Sequence, residues 1–477
     1  MIRSLKKIIT FTLIFIFLIL ISFLIDKSIS PKMENDNITY EHFFNDAIKR
    51  RITIKITQDE WNEFISQNTL IFKSNYMAKA ELIYQDVSGQ YATYSDVGIR
   101  TKGNDYSRTI PAHDDGTPKI SHFKLDFNET FNLEEGDGEY NAISNRKIFG
   151  LQELDLKYNS NGWWLEAQDT TFINEVFAFD LLNEIGVYAP QATFGMFYIQ
   201  IGDQKAVNLG LYKFIEPINE DFVNRRLINS NKRKFGSLYK GRYSANLTPI
   251  PLNQVKEIIG ETDWKNSFRP PYTISGSNDV SNHEHLLDFI DVIDSFNYSS
   301  EEEFTTKIES KMDMDYWLKY LALTFLIGNH DDYRFNQNNS YFYFNQDGKF
   351  YYLPYDFDHG FGQGWDGGYD DYGYNIDLYT GVTGYKERAS SAKSPLADYI
   401  LSIDKYQKIY EQYLTEFISE NGVFQFDKYY DHYLMIKNMY ENQIYANNSP
   451  HLFDETKAKN WYSKKIENVK KQLSKND

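Results

Sequence analysis

Apolar and polar residues alternate with a period of two through much of residues 51–127, most clearly in Ile52-Thr53-Ile54-Lys55-Ile56 and Phe123-Lys124-Leu125-Asp126-Phe127. Successive side chains of a strand point to opposite faces, so this pattern predicts a β-rich region. The period changes after Asp169-Thr170, where Phe172, Val176, Phe179, Leu182 and Ile185 recur every three or four residues. That spacing predicts a helix capped by Asp169 and Thr170 and stopped at Gly186. Residues 192–201 and 209–215 predict two strands joined by a turn at Gly202-Asp203. Residues 244–282 carry Pro249-Ile250-Pro251, Arg269-Pro270-Pro271 and Gly276-Ser277, which predict an irregular insertion. Helical spacing returns at 286–296 and 314–327, and from residue 395 onward the chain reads as helical, ending in a solvated Lys-rich helix. A β-rich first half, a mixed middle and a helical end predict an α+β fold with two lobes.

Residues 8–25 fit neither period, being apolar or hydroxylic without a charge, preceded by Arg3, Lys6 and Lys7 and closed by Asp26 and Lys27. About 18 residues at 1.5 Å each just reach across a ~30 Å hydrocarbon layer. The bulky Ser22-Phe23-Leu24-Ile25 end offers no small-residue cleavage site, which favours an uncleaved membrane anchor over a cleaved signal. The expected organisation is an anchor at 1–27, a tether at 28–45 and a body at 46–477. The basic residues before the run place that body outside the cytoplasm.

Composition narrows the partners. The net charge of −17 argues against nucleic acid as the main partner. The absence of cysteine excludes thiolate zinc, a cysteine nucleophile, disulfides and a lipoprotein anchor. With 38 Tyr and 35 Phe against 12 Pro, the chain is rich in residues that favour strands and large packed interfaces.

The densest chemistry lies between Asn329 and Gly362. The apolar 314–327 helix is stopped by Gly328, and the chain emerges as Asn329-His330-Asp331-Asp332-Tyr333-Arg334-Phe335-Asn336-Gln337-Asn338-Asn339. Residues 340–344 and 349–353 predict a hairpin around Asn345-Gln346-Asp347-Gly348. Pairing Phe344 with Lys349 sets Asn339 opposite Pro354 and brings Asp331, the asparagines, Asp356 and Asp358 together. Clustered carboxylates call for a cation, and oxygen ligands suit Mg²⁺. Asp331 as catalytic residue, Asn339 or Asn336 as metal ligand, and Asp356 with Asp358 as further ligands would match the order of parts in phosphoryl transfer. A polar loop whose Asp and Asn residues merely serve turns and caps is the other reading of the same residues.

These residues resemble the spore coat protein H (CotH) kinase family. The resemblance rests on Asn329-His330-Asp331, Asn339-Ser340-Tyr341-Phe342-Tyr343 and Pro354-Tyr355-Asp356-Phe357-Asp358-His359-Gly360-Phe361-Gly362. Earlier elements follow in the family's order: Gly98-Ile99-Arg100-Thr101-Lys102-Gly103-Asn104, Phe123-Lys124-Leu125, Gly186-Val187-Tyr188-Ala189-Pro190, Gly210-Leu211-Tyr212 with Glu216, and Leu238-Tyr239-Lys240. The resemblance implies a divergent, atypical protein-kinase-like fold that uses ATP with Mg²⁺ or Mn²⁺ to phosphorylate serines of a protein, in a spore-coat or cell-surface setting. On that reading Arg100, Lys102, Lys124 and Lys240 are nucleotide-binding cations. Glu175, set among Phe172, Phe179 and Leu182, needs a basic partner and would join a Lys–Glu pair. A catalytically degenerate, membrane-anchored binding or assembly protein and a two-carboxylate glycosidase remain open alternatives.

Overall fold

The computed structural model describes residues 38–70, 74–103, 108–159, 171–227, 234–263, 266, 268–277, 283–363, 376–379, 394–444 and 453–475. The expected anchor, most of the tether, the caps Asp169 and Thr170, and Asn104 lie outside them. Among the described residues no helix is long and apolar enough to cross a membrane.

The period-two segments build β1 (Arg50–Ile56), β2 (Ala78–Asp86), β3 (Tyr91–Lys102), β4 (His122–Asp126), β5 (Glu153–Tyr158), β6 (Ala192–Ile201) and β7 (Val207–Ile215). They close into a barrel in the order β1-β2-β3-β4-β5-β7-β6, sealed by parallel pairing of β1 with β6. Ile52, Ile54, Ile99, Phe123, Leu125, Leu154, Leu156, Tyr212 and Phe214 gather in one buried cluster. Fully burying a side chain of this kind contributes roughly 1.5–3 kcal/mol. The alternate positions of the same strands carry Arg100, Lys102, Lys124, Asp155, Lys157 and Lys213, so one face of the barrel wall is charged. The run is not all strand: helix α1 (Gln58–Leu70) interrupts it, burying Trp61 and Phe64.

A second sheet has the order β12-β11-β8-β10-β9. It comprises β8 (Ser237–Gly241), β9 (Ile259–Gly260), β10 (Tyr272–Ser277), β11 (Ser340–Phe344) and β12 (Phe350–Pro354). The 244–282 stretch is therefore only partly irregular, since β10 pairs with β8 through a bulge between Ile274 and Gly276. Helix α2 (Asn174–Glu184) lies in the chain between the barrel strands β5 and β6. Helix α3 (Met314–Ile327) is buried almost throughout, and Gly328 ends it with φ +71°. The C-terminal helices are α4 (Pro395–Ile400), α5 (Asp404–Phe417), α6 (Phe426–Ile444) and α7 (Glu455–Leu473). The last is not merely solvated: it buries Trp461, Tyr462, Val469 and Lys465, whose ammonium lies 3.7 Å from the Phe325 ring centre.

The hairpin register differs by one residue from expectation. Phe344 pairs with Phe350, so Ser340 faces Pro354. Lys349 is drawn into the turn, its N–H donating to Asn345 Oδ1 at 2.8 Å. The ladder then runs one step further, with the Tyr355 N–H donating to the Asn339 carbonyl at 3.2 Å.

Candidate active site

Antiparallel pairing of β5 with β7 sets Lys157 directly beside Lys213. Both reach Glu175 on α2, whose side chain is wholly buried. Lys157 Nζ lies 3.0 Å from one carboxylate oxygen and Lys213 Nζ 2.7 Å from the other. A buried carboxylate needs such partners, because desolvation would otherwise neutralise it. The Lys157 ammonium also pairs with Asp356 and lies 3.2 Å from Asp358. Burial alone would lower the Lys157 pKa, but Asp356, Asp358 and Glu175 together hold it well above the ordinary lysine value. Asp358 moves the other way: burial opposes its charge, yet Lys157, His359 and Lys213 keep it well below the carboxylate range. One ammonium thus joins the barrel wall, α2 and the Asp356-Phe357-Asp358 segment.

That segment is held by backbone geometry. Asp356 has φ +61°, a left-handed conformation that a non-glycine residue adopts only at a cost. Gly360, with φ +156°, lets the chain pass the end of α3, where an added Cβ would lie 2.8 Å from Ile327 Cγ2. The Phe361 N–H then donates to the Ile327 carbonyl at 2.7 Å.

Asp331 sits in a buried nest of amides. Its carboxylate accepts from Asn336, from Asn338 at 3.3 Å and from Asn339 at 2.9 Å, and its backbone N–H donates to Asn329 Oδ1 at 3.0 Å. Burial pushes the Asp331 pKa up to about 6; His359 and the amides oppose that rise, and Asp356 adds to it. Its neighbour Asp332 faces the other way, accepting from Thr324 at 2.7 Å and from the Phe335 N–H at 3.0 Å, and serves as a helix cap. The His330 and His359 rings lie 4.9 Å apart beside this nest.

The other expected residues divide. Lys102 pairs with Asp155 and donates to the Tyr355 hydroxyl at 2.7 Å. Lys240 lies 4.9 Å from the centre of the same Tyr355 ring. Burial, with Arg242 and Lys102 nearby, brings the Lys240 pKa down to about 7. Lys124 faces away from Phe123 and Leu125, but its ammonium goes to Glu153 at 2.5 Å rather than to Glu175. Arg100 sits across from Lys124 on β3 and donates to the Thr101 carbonyl at 3.1 Å. Asp331, Asn336 and Asn339 are therefore together, as are Glu175, Asp356 and Asp358 through Lys157. Lys102 and Lys240 flank Tyr355, while Lys124 and Arg100 lie further along the wall.

Lys157 and Lys213 escaped the sequence reading. The signal for Lys157 was present, since Glu153-Leu154-Asp155-Leu156-Lys157-Tyr158 alternates strictly and puts three charges on one face. Lys213 carried no such mark, being a single cation in an apolar strand.

His122 occupies the strand between these cations. Its Nδ1 accepts from the Tyr158 N–H at 2.9 Å. Burial, then Lys157, Lys102 and Lys213, push its pKa down to about 3. The unfolded imidazole takes up a proton near pH 6.5, whereas the folded one resists until about pH 3. The unfolded state therefore binds more protons in this window, and His122 makes stability fall as pH drops below about 6.5. Melting temperature measured from pH 7 to pH 4.5 should decline less steeply in His122→Gln than in the parent; parallel profiles would refute the assignment.

The sequence pattern of the family described as CotH kinase protein matches residues 99–475. The chain belongs to this family. The CotH kinase match takes in every candidate site residue, from Arg100 to Asp358. Spore coat protein homolog 1 of Rhizopus delemar is 24% identical over 354 residues, covering 72% of this chain and 52% of that protein. The chain thus spans about half the length of this curated relative. The crystal structure of a Helicobacter pylori proinflammatory kinase, CtkA, is similar over 68% of this chain and 91% of that one, with 11% identity and a TM-score of 0.23.

Proposed function

We propose that this CotH-family chain is an atypical, two-lobed kinase that transfers the γ-phosphate of ATP to a protein hydroxyl, with serine as the acceptor. The carrying observation is the convergence of Lys157 on Glu175, Asp356 and Asp358. In kinases a Lys–Glu ion pair orients phosphates and an Asp after the catalytic-loop hairpin holds the metal. Here Glu175 supplies the carboxylate of that pair and Lys157 the ammonium.

Asp331 is assigned as the residue that accepts or orients the acceptor hydroxyl's proton. Asn336, Asn338 and Asn339 fix its carboxylate, so little reorganisation precedes the transfer. The donor set suits a hard divalent cation: Asp356 and Asp358 offer carboxylate oxygens, and already draw an ammonium between them. Asn339 commits its NH₂ to Asp331, which leaves its amide oxygen as a ligand atom. Asn336 likewise spends its NH₂ on Asp331 and is the alternative. Bound Mg²⁺ or Mn²⁺ would neutralise charge on the β- and γ-phosphates. Lys102 and Lys240 beside Tyr355 supply further positive charge for the nucleotide, with Arg100 at the edge. Lys124, engaged by Glu153, supports the wall.

A membrane anchor at 1–27 and a spore-coat or cell-surface setting fit the uncharged N-terminal run and the name of the Rhizopus relative. The purified protein incubated with γ-labelled ATP and Mg²⁺ or Mn²⁺ should label itself or a serine-containing acceptor, and chelation should reduce labelling to background. Nucleotide-dependent thermal stabilisation without label transfer would overturn the proposal in favour of a binding protein of kinase-like fold.

A further inference from the structure

A second constellation lies outside this site, where the N-terminal segment, α2 and α6 meet. Asp46 precedes β1, Asp180 lies one turn and a half beyond Glu175 on α2, and His432 lies on α6. One donor atom from each lies within 4.8 Å of the other two. His432 Nε2 is 3.0 Å from Asp46 Oδ2, and its Nδ1 is 3.8 Å from Asp180 Oδ2.

Three observations suit these groups to a shared ion. The His432 side chain is only 9% exposed, and its ring packs against Phe177 and Phe194. Its two ring nitrogens are aimed at the two carboxylates, Nε2 at Asp46 and Nδ1 at Asp180. Asp46 Oδ1 is buried without a hydrogen bond. A buried polar atom left in this state costs about 1–3 kcal/mol. Two carboxylates beside one imidazole call for positive charge, which a protonated ring or a bound cation supplies.

We propose that Asp46, Asp180 and His432 form a structural binding site for a divalent transition-metal ion, with Zn²⁺ as the reference ligand. Imidazole nitrogen and carboxylate oxygen are both zinc ligands, and water can complete the coordination. Ligand atoms sharing an ion at about 2.0–2.2 Å lie roughly 3–4 Å apart, so the set closes on the ion with small side-chain movements. Such an ion would pin α2, and with it Glu175, to α6 and to the segment entering the barrel.

The test uses the full-length Asp356→Asn variant, which weakens the other expected metal site. After chelator treatment and removal of the chelator, Zn²⁺ titration by calorimetry should give one bound ion and a raised melting temperature. Adding His432→Ala should weaken binding by more than the roughly 10–100-fold that loss of an outer-shell partner costs. Adding Asp180→Asn should weaken it as well, and circular dichroism should show both variants folded. Should His432→Ala not fold, Co²⁺ loaded into the parent should show the absorption of a nitrogen- and oxygen-ligated ion, changed by Asp180→Asn. No saturable Zn²⁺ binding, or binding unaltered by these substitutions, would overturn the proposal and leave His432 as a plain ion-pair bridge.

Discussion

Replacing Asp331 by Asn is expected to lower phosphoryl transfer by about 10²–10⁴-fold, the usual contribution of a positioned acid–base group. Nucleotide affinity should stay near that of the parent. The split follows from where Asp331 sits. Its carboxylate is satisfied by Asn336, Asn338 and Asn339, and nucleotide cations are assigned to a different set around Tyr355. Asparagine conserves shape but offers a single acceptor oxygen to the facing amides, so it loses the charge without opening a cavity. Single-turnover transfer measured alongside nucleotide binding decides the matter. Equal losses in both would mean that Asp331 holds the fold of the loop and takes no part in the chemistry.

The sequence alone locates this loop because its signals are local. Gly328 must end α3, since it takes φ +71°, and the apolar α3 fixes where the chain re-emerges. The hairpin is equally local, yet its register slipped by one because Lys349 joined the turn instead of the strand. That slip leaves Asp331, Asn339 and Asp356 in the same neighbourhood, since all three lie at the open end of the hairpin. The partner of Glu175 was beyond reach for a different reason. Its burial among Phe172, Phe179 and Leu182 shows that a cation is required, but not which one. Lys157 and Lys213 become neighbours only when β5 pairs with β7, and that pairing skips β6. Barrel closure through parallel β1 and β6 joins residues 145 apart in the chain, and no periodicity encodes it. Helix α1 was missed because Trp61 and Phe64 are its principal buried apolar residues, so its stripe is thin within a strand-rich stretch. Lys465 reads as one more basic residue of a solvated helix until α7 is packed on Phe325.

Lys157→Met should separate chemistry from structure more sharply than a change at Asp331. The parent ammonium serves Glu175, Asp356 and Asp358 together, and it is the one cation that reaches both the helix and the Asp356-Phe357-Asp358 segment among the described residues. Methionine keeps the length of the stem and removes the charge. Transfer should fall by roughly 10²–10³-fold, as when one preorganised electrostatic group is deleted. Glu175 keeps Lys213 at 2.7 Å, so α2 retains a buried partner and the protein should still fold. Lys213→Met removes the wholly buried member of the trio and should act mainly on stability, since breaking a buried pair typically costs about 3–5 kcal/mol. The two variants also differ in metal binding. Without Lys157, Asp356 and Asp358 lose the cation that now neutralises them, so Mn²⁺ should bind more tightly even as transfer falls. With Lys213→Met, Lys157 still neutralises them and Mn²⁺ affinity should hold. Mn²⁺ titration followed by electron paramagnetic resonance, beside transfer rates and melting curves, distinguishes these outcomes. If Lys157→Met weakened Mn²⁺ binding, Asp356 and Asp358 would not be the metal-holding carboxylates, and the lysine would be part of a structural ion network instead.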